Sequence, residues 1–115
     1  MQGLYAKRDE LERLLVEALD ECRRAGIKLA ENEAEYRKAL REEVVDARAD
    51  KVPVTIISDL CRGIPYIADL KQARDSAEAV YRASQEAINV NKLRLRMVDA
   101  EIQRTWNSGG IGNGY

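Results

Sequence analysis

The stretch Ile88-Asn89-Val90-Asn91-Lys92-Leu93-Arg94-Leu95-Arg96-Met97-Val98-Asp99-Ala100-Glu101-Ile102 carries apolar residues along two lines. Ile88, Leu95, Val98 and Ile102 form one, interrupted by Asn91. Val90, Leu93, Met97 and Ala100 form the other. At about 100° per residue of helix, the two lines lie roughly opposite each other. One neighbouring helix covers only one of them, so a third surface must cover the second. The stretch therefore predicts a helical hairpin built to bind, to itself or to something else.

Outward from that stretch, the same helix extends over 64–106. Ile67, Arg74, Tyr81, Ile88, Leu95 and Ile102 recur every seven residues, and so do Leu70, Ala77, Ser84, Asn91, Val98 and Thr105. Pro65 suits a first helical turn. The Ala- and Ser-rich middle (Ala73, Ala77, Ala83, Ser84, Ala87) permits close helix approach. Arg74 at the seam is expected at its edge, with its head in water. Asn91 is expected to act as a polar layer that fixes register and partner number. The residues 107–115, with four glycines, read as a disordered Gly-rich tail.

The first half predicts a partner helix over 4–49. Leu11, Leu15, Ala18, Cys22, Ala25 and Leu29 step by four and three, the spacing of a coiled-coil seam. Tyr36, Leu40, Val44 and Ala47 continue the pattern with one extra residue, which predicts a local change of supercoiling. Gly26 permits a bend. Pro53 ends this helix, because it disfavours helical geometry at Val52. Between the helices, 50–63 is a connecting element, a short helix or loop. The helical reading takes Thr55 as N-cap, Gly63 as C-cap and Ile56, Ile57, Leu60 and Cys61 as one face.

The expected architecture is all-α: one domain over 1–106, a long antiparallel helical hairpin, coiled-coil-like, assembling into a homo-oligomer. Two helices of about 40 residues span roughly 60 Å. A lone hairpin of that length has little interior, and a two-fold copy of itself supplies the missing cover. Val90, Leu93, Met97 and Ala100, with Asn91, are the expected oligomer interface.

The 115 residues carry 19 basic and 20 acidic side chains, so a net charge of −1 draws the chain toward neither nucleic acid nor membrane. Cys22 and Cys61 have no His or third Cys to complete a zinc set, and read as reduced thiols of a cytoplasmic protein. With no His there is no triad and no imidazole base, and no Gly-rich phosphate loop occurs. Carboxylate pairs such as Glu31/Glu35 and Glu42/Asp46 read as a solvated face. An enzyme is not expected, nor is any cofactor or metal. Gly63 after a short helix invites a helix-turn-helix reading, but Asp59 stands where that motif wants a small residue.

Two polar groups remain. Lys92, Arg94, Arg96 and Arg104 make a basic patch that can contact phosphates, although Asp99 and Glu101 interleave with it. It is better read as a partner for the more acidic first helix. Thr55, Ser58, Asp59 and Arg62 form the densest polar cluster outside the long helices. Ser58 and Arg62, four apart, can reach one ligand or partner.

The run Ala30-Glu31-Asn32-Glu33-Ala34-Glu35-Tyr36-Arg37-Lys38-Ala39-Leu40, the segment from Val52 to Gly63, Glu86-Ala87-Ile88-Asn89-Val90 and the ending Glu101-Ile102-Gln103-Arg104-Thr105-Trp106 carry a resemblance. The chain resembles a group of small uncharacterised helical proteins encoded by phages and prophages of Gram-positive bacteria. The likeness covers most of Ala30 to Trp106 and transfers no catalytic residue. It implies an accessory phage protein acting in the bacterial host cytoplasm. The expected function is to bind or sequester a host factor, as an inhibitor of host defence. One form is a sponge whose pockets take a small nucleotide signal through Thr55, Ser58 and Arg62. The alternative is a nucleic-acid-binding accessory protein of phage replication or recombination, using Lys92, Arg94, Arg96 and Arg104. A structural role in virion assembly is the third.

Overall fold

The computed structural model describes residues 2–113, with side chains described over 3–108. Three helices follow in order: α1 (Gln2–Ala49), α2 (Val54–Arg62) and α3 (Pro65–Asn113). No strand occurs among the described residues. The all-helical expectation holds, with the order of a helical hairpin. The connecting element contains a helix rather than only a loop.

The chain divides into two compact units. One joins α1 up to Cys22 with α3 from Ala83 onward. Its core is Leu11, Val98 and Ile102, with Leu4, Leu14 and Leu95 packed on them. The other spans Arg23–Arg82. Its core is Tyr36, Ala39 and Ile67, joined by Leu40, Ile64 and Leu70. In each unit a stretch of α1 lies on a stretch of α3. In the second the pairing is antiparallel: Gly26 meets Tyr81, Asn32 meets Ala73, and Glu33 meets Arg74.

The seam of α3 follows its sequence period. Ile67, Leu70, Arg74, Ala77, Tyr81, Ser84, Ile88, Asn91, Leu95, Val98 and Ile102 are all buried or half-buried. Thr105, the next position in the series, is exposed. On α1 the expected extra residue shows past Tyr36, where Leu40, Val44 and Ala47 are half-buried and Asp46, the next position in the old phase, is exposed. The half-buried and buried positions run Leu29, Asn32, Tyr36, Ala39 without a break. Counting apolar residues alone skips Asn32, whose Nδ2 donates a hydrogen bond of 3.3 Å to the Ala73 carbonyl. Small side chains at Ala73 and Ala77 leave that carbonyl reachable. Beyond Ala39 the half-buried face widens to take in both Leu40 and Glu43, Val44 and Ala47.

Gly26 does not interrupt α1. It makes room instead: a Cβ there would lie 3.2 Å from Cε1 of Tyr81. The ring occupies the space that a side chain would need.

α1 ends in a Schellman motif. The Val52 N–H donates to the Ala47 carbonyl (3.0 Å) and the Lys51 N–H to that of Arg48 (3.1 Å). Lys51 takes the left-handed conformation usually given to glycine, with φ 63°. Thr55 is not the N-cap of α2; Pro53 holds that place, and no side chain caps it. Gly63 stands at the C-cap as expected, but with ordinary right-handed geometry, its N–H donating to Asp59. Ile57 and Cys61 are the buried residues of α2, whereas Ile56 and Leu60 are exposed. The inward face of α2 is therefore narrower than the sequence predicts.

α3 starts at Pro65 and its backbone stays helical to Asn113, past the expected end at Trp106. Asn107 and Ser108 prolong an established helix, which needs no new nucleus. The end of the expected tail, 114–115, lies outside the described residues.

A left-handed non-glycine residue costs about 1–2 kcal/mol. Lys51→Gly is therefore expected to raise stability by about 0.5–1 kcal/mol once the added freedom of the unfolded chain is counted. A melting midpoint that falls would overturn the assignment of Lys51 as the turn residue. Gly26→Leu is expected to lose about 1–3 kcal/mol by overpacking against Tyr81. In denaturant melts Gly26→Leu and Tyr81→Ala together should cost less than their sum; strict additivity would mean that the ring is not seated there.

Candidate functional site

The first unit carries the expected interface. Val90, Leu93 and Met97 are 44%, 51% and 62% exposed, and Ala100 is exposed beside them. Their spacing of three, four and three repeats that of the inner seam, so α3 bears a second, exposed seam. Asn91 does not belong to it. It is half-buried in the inner seam with Ile88 and Leu95, as its place in the seven-residue series requires.

The four cations of the basic patch do not form one surface. Arg94 and Arg104 join Lys7 of α1 around a hollow of 520 Å³, floored by Leu11, Met97 and Val98. Lys92 and Arg96 do not line it, and at 100° per residue they fall on the other flank of the apolar line. Among the described residues none of these cations pairs with α1. An ion pair between the helices in this unit joins Arg8 and Asp99, with Nη1 4.0 Å from Oδ1, so here the base is on α1 and the acid on α3. Arg8 also lies 5.1 Å from the centroid of the Tyr5 ring.

The second unit holds a denser constellation. Glu33, Arg37 and Arg41 step by four along α1, beside Tyr36, Leu40 and Val44. Together with Arg62 at the end of α2 and Lys71 and Arg74 of α3, they line a hollow of 610 Å³. Arg37 Nε donates to Glu33 Oε1 (2.6 Å), and Arg74 Nη1 lies 3.0 Å from Glu33 Oε2. The Arg74 guanidinium lies 5.6 Å from the centroid of the buried Tyr36 ring. Its Nε is 2.9 Å from Asp75 Oδ1 but poorly aligned for a hydrogen bond, so that contact is ionic. Asp75 also accepts from Lys71 Nζ at 2.9 Å.

Arg74 thus lies at the edge of the seam, as expected, with its head held by Glu33 and Asp75. Hydrogen bonding from Arg37, helped by the charges of Arg74 and Arg37, holds the Glu33 carboxyl below its ordinary range; its partial desolvation works the other way. Lys71 does the same for Asp75, with smaller help from Arg74.

Of the polar cluster expected on the connecting element, only Arg62 lines this hollow. Thr55, Ser58 and Asp59 are exposed on α2 and are not among its walls. The reading of the sequence missed Arg37, Arg41 and Lys71. The i, i+4 arginines of α1 were its available signal, but their convergence with Arg62 needs three helices in place.

Among the described residues no group of three or more His, Cys, Asp or Glu side chains is placed to hold a metal ion. Cys61 is buried, Cys22 half-buried, and both are free thiols. No described helix is long and apolar enough to cross a membrane. No family model matches the chain, and neither a curated protein nor a solved structure matches it.

Both carboxylates gain from being ionised in the folded state. Their folded values lie below the unfolded ones, so the stability they bring is whole above the ordinary carboxylate range. It is lost as pH falls through the lowered values. Glu33→Gln is expected to be less stable than wild type at neutral pH, by a margin that narrows below about pH 4. A gap that stays constant through the acid limb of a stability profile would show that Glu33 contributes by packing alone.

Proposed function

We propose that this chain is a non-enzymatic phage accessory protein that works as a homo-oligomer in the host cytoplasm. Its role is to bind or sequester a host factor, of the kind that inhibits host defence. The observation that carries the reading is the unoccupied second seam, Val90, Leu93, Met97 and Ala100, on a helix whose first seam is already satisfied. Apolar lines at coiled-coil spacing on a folded surface mark an interface rather than a solvated face.

Charge supports a second copy as the first occupant. An antiparallel apposition of two α3 helices centred on Met97 sets Leu93 against Ala100 of the copy. It also sets Arg94 near Glu101 on one flank, twice by symmetry. Lys92 and Arg96, on the opposite flank, stay free for an acidic partner. The split of the cations between two flanks weighs against the alternative, a nucleic-acid accessory protein, which needs them on one track.

Met97→Asp places carboxylates in that interface and is expected to weaken association by about 100-fold or more while leaving helicity intact. Ile88→Asp, on the inner seam, should instead lower helicity and the melting point. Sedimentation of Met97→Asp at the wild-type mass would sink the interface. The rim pair gives a finer test: Arg94→Glu or Glu101→Arg alone should weaken association modestly, and the two together should restore it.

A further inference from the structure

We infer that the hollow of the second unit is a binding site for a di- or triphosphate group, free or carried on a nucleoside. The inference rests on the sequestration reading only in naming what is held; the site itself stands on its own geometry.

Five cations and one carboxylate line the hollow. That carboxylate, Glu33, is already engaged by Arg37 and Arg74. Lys71 and Arg74 share Asp75, which is not part of the wall. Arg41 and Arg62 have no ion pair among the described residues, yet they come from different helices and face the same space. Folding has therefore gathered five cations around one hollow and left two of them, Arg41 and Arg62, without a carboxylate among the described residues. An anion in the hollow compensates these two and lets each guanidinium present its two-pronged donor edge to oxygen.

The ligand must carry several charges, since one leaves most of the excess in place. The volume of 610 Å³ is that of small-molecule sites. Phosphates joined in a chain fit this better than a lone carboxylate or sulfate, because Arg41 on α1, Arg62 on α2 and Lys71 on α3 approach from separate helices. The aromatic ring in the wall does not offer a free stacking face: Arg74 lies over Tyr36. Leu40 and Val44 give an apolar wall without hydrogen-bonding groups to read a base. Recognition therefore runs through the phosphates, and the identity of a nucleobase matters little.

The test is calorimetric titration of the full chain with tripolyphosphate, ATP, GTP and AMP. Tripolyphosphate and both triphosphates are expected to bind one per chain, ATP and GTP within about threefold of each other, and AMP at least about tenfold more weakly. Arg41→Gln combined with Arg62→Gln should weaken triphosphate binding about 100-fold, at the usual strength of charge-assisted hydrogen bonds. Both residues are exposed, so the circular-dichroism melt should stay near wild type.

Equal affinity for tripolyphosphate and ATP assigns recognition to the phosphate chain alone. Tighter ATP adds the nucleoside as a second source of affinity. Absence of binding by both overturns the site, as does undiminished binding in the double variant. An equal loss in Lys92→Gln/Arg96→Gln, which belong to the other unit, would also overturn it by revealing a general charge effect. Met97→Asp should bind triphosphate like the wild type. Failure of the oligomer and failure of the site are thus read separately.

Discussion

Everything in this chain depends on one geometric constraint: within each unit α1 and α3 meet along a seam of period seven, and a seam can be satisfied on only one side of a helix. Such a seam is degenerate, because sliding one helix by seven residues places similar residues in similar places. The contacts that break the degeneracy are specific. Tyr81 requires a glycine opposite it, and apart from Gly3 at its start α1 offers only Gly26. Asn32 reaches a backbone carbonyl that small neighbours leave open. Arg74 finds Glu33, and in the other unit Arg8 finds Asp99. Ion pairs at such exposure contribute little to stability. Their value lies in register, since a slipped pairing strands a half-buried charge at the seam.

The two units use charge in mirrored ways. In each, a seam arginine lies near a tyrosine of α1 and an acid of the facing helix, Arg8 with Tyr5 and Asp99, Arg74 with Tyr36 and Glu33. The arginine belongs to α1 in one unit and to α3 in the other. A single rule that the acidic helix meets the basic helix therefore fails. Charge balance is local, settled turn by turn, and the net composition of a helix does not predict it. That is why Lys92, Arg94, Arg96 and Arg104 remain outside the pairing although α1 is the more acidic helix.

What the sequence disclosed follows the same line. The two lines of α3 are readable because each is long, regular and apolar, and burial sorts them as the spacing requires. Asn32 was missed as a seam position of α1, since a seam position filled by a polar residue is invisible to a count of apolar ones. The turn at Lys51 was hidden for a related reason: glycine and proline are the usual signals, and here hydrogen bonds from Lys51 and Val52 hold a residue that gives none. Arg62 was legible as one polar residue among four neighbours in sequence. Its partners in the cationic hollow come from α1 and α3, and only the fold brings them together.

The features left over after folding all run against the stability of an isolated chain. An apolar line in water, and arginines without carboxylates, are conflicts between the local sequence and the fold that contains them. Natural sequences tolerate such conflicts chiefly where function needs them. The two conflicts here differ in kind. The apolar line asks for a long, rigid surface of matching period, which a helix of another chain supplies. The hollow asks for compact negative charge, which a helix surface supplies poorly because its carboxylates stand apart on long side chains. On the proposed reading the chain thus presents two separate demands, one for a second helix and one for a small anion.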